Sequence, residues 1–472
     1  MKRALSGVSE PPNPNALPYA VPQSTLPGVV WPAVPDDAAS RLLALQFQLE
    51  QSQWWPPEVI EARQFEQLQQ LLAHAQRTVP FYASRLGALG SGSTIDRARW
   101  SGIPILTRQD VQLNKESLLS RTVPPQHGAV GETSSSGSTG RPITVYATDY
   151  VTLLWQAFTL REHFWHRRDL AGKLCAIRHQ AEGGAMAPEG GRLPGWGPAT
   201  DIAYRTGPCS VLNIKASIRE QADWLVRENP DYLITYPTSA FELLRFFRES
   251  GSSLPRLREL RTISEAIPAD LRKFAREIGG VKVVDMYTAR ETGYIALQCP
   301  DHEHYHVQSE NLYVEILDDA GQHCTPGNIG RVVVTTLHNF ATPLIRYDIG
   351  DYAQVGAPCP CGRGLPVLDR ILGRVRNMLV LPDGGRHWPL IGADDVHRLA
   401  PVLQQQVAQV GPEEIEVRLV VARPLTREEE KAVAAHIGAA LRYPFRIALR
   451  YLDAVPRGPT GKFEEFVCEI PA

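Results

Sequence analysis

Residues 134–142, SSSGSTGRP, set five hydroxyl side chains and two glycines side by side with no apolar group among them. Glycines let a backbone turn so that successive N–H groups converge, and Ser and Thr hydroxyls add donors, so such a loop can cradle phosphate oxygens. The same composition also makes a flexible linker. A Walker loop is excluded: Arg141-Pro142 stands where Lys-Ser/Thr would follow the glycines, and the ITVY beyond it reads as a strand rather than a helix. Any grip on phosphate would rest on the loop's own N–H and hydroxyl groups.

Four further stretches carry side chains that chemistry uses. MYTARETG, Met286 to Gly293, follows a run that reads as a buried strand. Tyr287 there could stack on a base and Glu291 could hold a magnesium ion, against the plain alternative of a strand-end turn with a surface Glu. In RYDIGD, Asp351 after Gly350 could accept hydrogen bonds from ribose hydroxyls, although Gly-Asp taken alone reads as a turn. GRVRN, Gly373 to Asn377, could be a hinge. PRGPTGK presents Lys462 on a Gly- and Pro-rich loop, where a lone lysine is ordinarily solvated.

A metal-like constellation lies between them. Cys299, then His302, His304 and His306, precede the tight pair Cys359 and Cys361 in PCPCGRG. Thiolates with an imidazole suit a closed tetrahedral zinc site with a structural role. Cys299, His306, Cys359 and Cys361 are taken as the ligand set, with the choice of histidine open. C-x-C is not the usual knuckle spacing, and free cysteines also serve as small buried hydrophobes.

These stretches need elements to hold them. At 472 residues the chain exceeds what one core supports, so two or more domains are expected. A net charge of −2 gives no electrostatic case for nucleic acid or an acidic membrane, and no apolar run approaches the length that crosses a bilayer. With no signal-like N-terminus and an odd count of seven cysteines, a cytoplasmic protein with reduced thiols is expected. The first forty residues are too proline-rich for a helix or a central strand. Phe65, Leu68, Leu72, Ala75 and Val79 then mark one face of a helix ending before Pro80. Helices over 221–226 and 240–248 alternate with the strands DYLITY and VKVVDMY, the pattern of an α/β architecture. After about residue 372, EIEVRLVVA alternates as a strand, Thr426 and Glu429 make a capping box for a helix with Val433, Ile437 and Leu441 inward, and FRIALRY alternates again. That unit predicts a small C-terminal α+β domain.

SSSGSTGRP, MYTARETG, RYDIGD, GRVRN and PRGPTGK stand in the order of the motif series of the adenylate-forming (ANL) superfamily, which the chain resembles from about Arg63 to Lys462. QLLAHAQRTVPFYASRL, GIPILTRQDV and the Cys/His stretch leading to CPCGRGLPVLDRILGR are similar to its phenylacetate:CoA ligase branch. The resemblance implies a proline-rich extension (1–40), a large α/β domain with several sheets (41–374) and a small mobile lid (375–472). It implies that Ser135, Ser136, Gly137, Ser138, Thr139 and Gly140 close on the β- and γ-phosphates of ATP, that Tyr287 stacks on adenine beside Ser264, Glu265 and Ala266, and that Asp351 binds the ribose. Glu291 would help hold Mg2+, Arg374 would contact the nucleotide near the hinge, and Lys462 would reach the carboxylate and α-phosphate during adenylation.

The chain departs from the family at three places. Thr288 stands for the usual Gly, Arg290 for the usual Ser or Thr, where it could contact the α-phosphate in place of the missing hydroxyl or point away, and Asn377 for the hinge Asp. The implied activity is adenylation of a small carboxylic acid, aryl or arylacetic, with transfer to coenzyme A. An amine or a carrier-protein thiol is the alternative acceptor, and a non-catalytic nucleotide-binding homologue is opposed by the presence of Lys462 and Glu291. TYPTSAF and HFWH are candidate walls of the acid pocket, and a homodimer is compatible with the sequence.

Overall fold

The computed structural model describes residues 21–86, 95–134, 142–268, 270–374, 378–387, 389, 393–455, 457 and 462–470. Runs of apolar residues set its centre. Leu174–Arg178 and Cys209–Asn213 are buried along almost their whole lengths, as strands covered on both faces must be. They belong to a 12-stranded sheet of two kinds. In the first half Cys209–Asn213, Leu174–Arg178, Tyr232–Thr235, Glu259–Thr262 and Lys282–Ala289 run parallel, with Gly191–Leu193 antiparallel at the edge. In the second half Gly293–Gln298, Tyr305–Val307, Val367–Arg374, Tyr347–Val355, Ile329–Thr336 and Leu312–Leu317 are antiparallel.

Lys282–Ala289 joins the halves. It pairs parallel with Glu259–Thr262 as far as Asp285, and antiparallel with Gly293–Gln298 from Met286 onward. The helices Ile218–Glu228, Pro237–Ser250 and Leu271–Gly279 cover one face of the parallel half through Leu225, Leu243, Leu244 and Phe274. Asp149–Trp165 and Asp37–Ser52 pack Phe158 and Leu42 into a separate core with Met286 and Tyr294. The helix Pro57–Thr78 buries Leu68 and Leu72 against the antiparallel half, as its periodicity predicts. Asp37–Ser52 begins four residues inside the stretch read as too proline-rich for a helix, because Asp36 caps it by accepting the N–H of Ala39 at 2.8 Å.

A four-stranded sheet, in the order Arg446–Tyr451, Glu414–Val421, Val402–Gly411, Phe466–Cys468, makes the small C-terminal domain. The expected β-α-β unit is present: Glu414–Val421 and Arg446–Tyr451 are parallel, and Arg427–Leu441 carries the Thr426/Glu429 capping box with Val433, Ile437 and Leu441 buried. The last strand pairs Phe466 with Val407, which anchors the far end of the segment bearing Lys462. Among the described residues no helix is long and apolar enough to cross a membrane, and all seven cysteines are free thiols.

Candidate active site

A cleft of about 1420 Å³ opens at the carboxyl ends of the parallel strands and is closed on its far side by the small domain. Every described residue that the sequence assigned to nucleotide or catalysis lines it: Ser264, Glu265, Ala266, Tyr287, Arg290, Glu291, Asp351, Arg374 and Lys462. Residues 135–140 and Asn377 lie outside the described residues. Tyr287 stands just past the point where its strand's pairing passes from a parallel neighbour to an antiparallel one.

The Tyr287 hydroxyl donates to Asp351 Oδ2 at 2.8 Å. Asp351 lies opposite Arg374 in the ladder between Tyr347–Val355 and Val367–Arg374, and Arg374 Nε is 3.5 Å from its Oδ1. Gly350-Asp351 is therefore no turn: it sits inside a strand, which bends because Gly350 has φ +84° and Gly373 on the facing strand likewise. Burial, then the Asp351 charge, push the Tyr287 phenol well above its ordinary range, so it remains a donor.

Glu291 is only 7 % exposed, which corrects the reading of a surface residue, and its Oε1 is 3.9 Å from Arg108 Nη1. Arg108 follows Thr107, which caps the short helix Arg108–Leu113 with a capping box completed by Asp110. Arg290 is exposed at the mouth, where its Nη1 donates to the Ser134 carbonyl at 3.3 Å. It lines both the cleft and a second cavity of about 460 Å³ behind it, shared with Trp155, Tyr294 and His338.

Lys462 is not a solvated surface lysine. Burial, with Arg374 adding to it, holds its ammonium below the ordinary lysine range, against the pull of Asp351, Glu265 and Glu291. Its backbone neighbour Phe463 donates an N–H to Glu265 Oε1 at 2.6 Å.

The cleft is also lined by the apolar Trp155, Leu174, Ala176, Trp196, Ile234 and Met286, alongside Arg178, His179 and Arg261. Tyr236 and Thr238 of TYPTSAF are also there. Of HFWH only His163 faces it; Phe164 packs on Tyr204 and Trp165 on His306. His163 Nδ1 lies 3.1 Å from Arg168 Nη1, and burial with the Arg261 and Arg168 charges keeps the imidazole neutral. Arg168 and Arg261 share the buried Glu162, which holds that carboxylate charged despite its burial.

Away from the cleft, Cys299, His306, Cys359 and Cys361 place their four ligand atoms within 4.8 Å of one another. The Cys299–Cys359 sulfur separation is 3.9 Å and Cys361 Sγ is 3.4 Å from His306 Nε2. A tetrahedron with zinc–sulfur bonds of about 2.3 Å has edges of roughly 3.8 Å, so the residues fit the metal. His306 Nδ1 meets the Leu365 carbonyl at 3.4 Å, which leaves Nε2 as the ligand atom, and the Cys361 N–H donates to Cys359 Sγ at 3.4 Å. His302 and His304 stack on each other outside the group.

No protein-family model matches the chain. It is 26 % identical over 424 residues to the phenylacetate–coenzyme A ligase of Thermus thermophilus, covering 85 % of this chain and 91 % of that one. To the enzyme of the same name from Pseudomonas putida it is 25 % identical, over 69 % of this chain and 72 % of that one. The chain is a relative of the phenylacetate–CoA ligases with the fold of the adenylate-forming superfamily. The fold matches that of 2-hydroxyisobutyryl-CoA ligase in its postadenylation state with a TM-score of 0.69 at 16 % identity, over 89 % of this chain and 92 % of that one. Against the same ligase in its thioesterification state the TM-score is 0.56, and against its open conformation 0.54. Of these three states of that ligase, the chain superposes best on the postadenylation one.

Proposed function

We propose that the chain is an ATP-dependent ligase that adenylates an organic acid of the aryl or arylacetic class and passes the acyl group to the thiol of coenzyme A. The observation that carries this is the meeting of Lys462, from the small domain, with Tyr287, Asp351, Arg374 and Glu291 in one cleft. The names of the curated relatives support the reaction and the aromatic acid, and Trp155 and Trp196 in the cleft lining suit such a ring.

A carboxylate oxygen of the acid attacks the α-phosphorus of ATP, the bond to the pyrophosphate oxygen breaks, and pyrophosphate leaves. The thiolate of coenzyme A then adds to the acyl carbon of the adenylate, and AMP leaves. The first step brings anions together, so it needs donors and cations placed where charge develops. In this reading Tyr287 stacks on adenine while Asp351, held by the Tyr287 hydroxyl and Arg374, accepts the ribose hydroxyls. Ser264 and Ala266 line the base. Lys462 supplies a point charge between carboxylate and α-phosphate. Ser135 to Gly140 hold the outer phosphates, and Arg290, anchored on Ser134, puts a cation at the foot of that loop. Glu291 would hold a magnesium ion, which neutralises phosphate charge when bound. Cys299, His306, Cys359 and Cys361 would hold zinc, with no position left for water and hence a structural role. The mobile small domain begins at residue 375, after Arg374, and the segment ahead of the helix Asp37–Ser52 is an extension.

A panel of aryl, arylacetic and aliphatic acids, scored by pyrophosphate exchange with and without coenzyme A, tests the proposal. Exchange with aromatic acids and a coenzyme A thioester as product are expected. Amides formed from added amines in place of the thioester would replace the acceptor, and no exchange with any acid would overturn the ligase reading.

A further inference from the structure

The backbone leaves the strand Glu259–Thr262 through Ser264, whose φ of 72° is a left-handed conformation that serine rarely adopts. Glu265, next in the chain, does not spend its carboxylate on the open cleft. Its Oε1 accepts the Phe463 N–H at 2.6 Å, and its Oε2 accepts the Thr238 N–H at 3.2 Å and the Thr238 hydroxyl at 2.8 Å. Phe463 directly follows Lys462, so this bond fixes the backbone on which the lysine stands.

The surroundings repeat the pattern. Thr238, Glu242 and Arg245 recur at steps of four and three, on one face of the helix Pro237–Ser250, whose Phe241, Leu244 and Phe247 are turned into the core. Arg457 Nη1 donates to Thr238 Oγ1 at 3.3 Å and its Nη2 is 3.8 Å from Glu242 Oε2. Arg245 Nη2 donates to the Leu403 carbonyl at 2.8 Å. A polar face of the large domain is thus matched to the small domain, with Glu265 at its cleft end.

We propose that Glu265 is a positioning residue for adenylation: its carboxylate latches the small domain through Phe463 with Lys462 in the cleft, and the latch must open before the acyl group is passed on. This rests on the ligase reading above. Burial raises the Glu265 carboxyl, and the Phe463 N–H is the foremost influence drawing it back, so the carboxylate depends on that partner.

A wall of the adenine site and a latch differ in what their removal changes. For Glu265→Ala the expected result is a 10- to 100-fold fall in kcat of phenylacetate-dependent pyrophosphate exchange, the size of one lost charge-assisted hydrogen bond. The KM for ATP stays within about threefold, and thioester formation from preformed phenylacetyl-adenylate and coenzyme A runs at the wild-type rate or faster. A raised KM for ATP at unchanged kcat, or equal losses in both half-reactions, would overturn the proposal. Arg457→Ala, at the edge of the same contact, provides a second variant and should lose severalfold in exchange alone; equal losses in the two half-reactions count against the latch here too. Should the wild type exchange with no acid, the ligase reading falls by itself. The latch is then read from solution X-ray scattering, where a larger radius of gyration for Glu265→Ala supports it and an unchanged radius overturns it.

Discussion

Tyr287 and Asp351, 64 positions apart in the chain, share a hydrogen bond of 2.8 Å between a buried phenol and the carboxylate beside Arg374. The tyrosine therefore does two things that a phenylalanine would divide: it offers a ring, and it points the carboxylate. Tyr287→Phe keeps the ring and frees Asp351 Oδ2. A neutral-to-charged hydrogen bond of this kind contributes about 1–2 kcal/mol, so the KM for ATP should rise about 5- to 30-fold in pyrophosphate exchange, with kcat largely kept. An unchanged KM would mean that the pair does not hold nucleotide.

Lys462 reaches the cleft from the small domain, and its proposed task is confined to the first step. Lys462→Ala should lower pyrophosphate exchange by about 10²- to 10³-fold, the scale of losing one preorganised group at a developing charge. Thioester formation from a preformed acyl-adenylate should survive. The ammonium is held below the ordinary lysine range by burial and Arg374. The charged form is present below that lowered pKa and lost as pH rises through it, so the alkaline limb of exchange should begin earlier than for a free lysine. A limb unchanged in Lys462→Arg would assign it to another group.

Local pattern made the elements legible where one period dominated. The capping box of Thr426 and Glu429 and the inward Val433, Ile437 and Leu441 are where the sequence puts them. The strand Val402–Gly411 is not readable that way, because glutamines interrupt its alternation; Gln406 and Gln409 are nonetheless satisfied, donating to the Glu464 and Val380 carbonyls at 2.9 and 2.7 Å. The motif order pointed to Tyr287, Asp351, Arg374 and Lys462, yet a Gly-Asp pair inside a bent strand looks like a turn until the facing strand is known. Contacts such as Glu265 to Phe463, 198 positions apart, or the choice of His306 over His302 and His304, depend on chain pairing that no local spacing encodes.

The Cys299, His306, Cys359 and Cys361 group should bring about one zinc per chain through purification, measured by metal analysis of the intact protein. It joins the loop after Gly293–Gln298 and the strand Tyr305–Val307 to the loop before Val367–Arg374. Cys359→Ser should therefore lose the metal and lower the melting temperature by roughly 2–5 °C, as expected for a few kcal/mol in a chain of this size. Lys462 is not part of that cluster, so Lys462→Ala should keep its zinc.

Glu465 sits beneath the latch, where burial pushes its carboxyl up to about 7 and the Glu265 and Asp270 charges add to the rise. A group whose pKa is raised in the docked domain arrangement binds its proton more tightly there than when the domain swings out into water. Docking is therefore favoured while Glu465 is protonated and loses that support as pH rises from the ordinary glutamate range through about 7. Because Glu465 keeps part of its surface open to the cleft, solvent softens the effect. The expected result is a pyrophosphate-exchange rate that declines as pH climbs past about 7, while thioester formation from preformed acyl-adenylate does not. Glu465→Gln fixes the neutral form and should flatten that decline. A decline of the same size in Glu465→Gln would move its origin to another group at the interface, with Glu242, raised by its burial, the next to substitute.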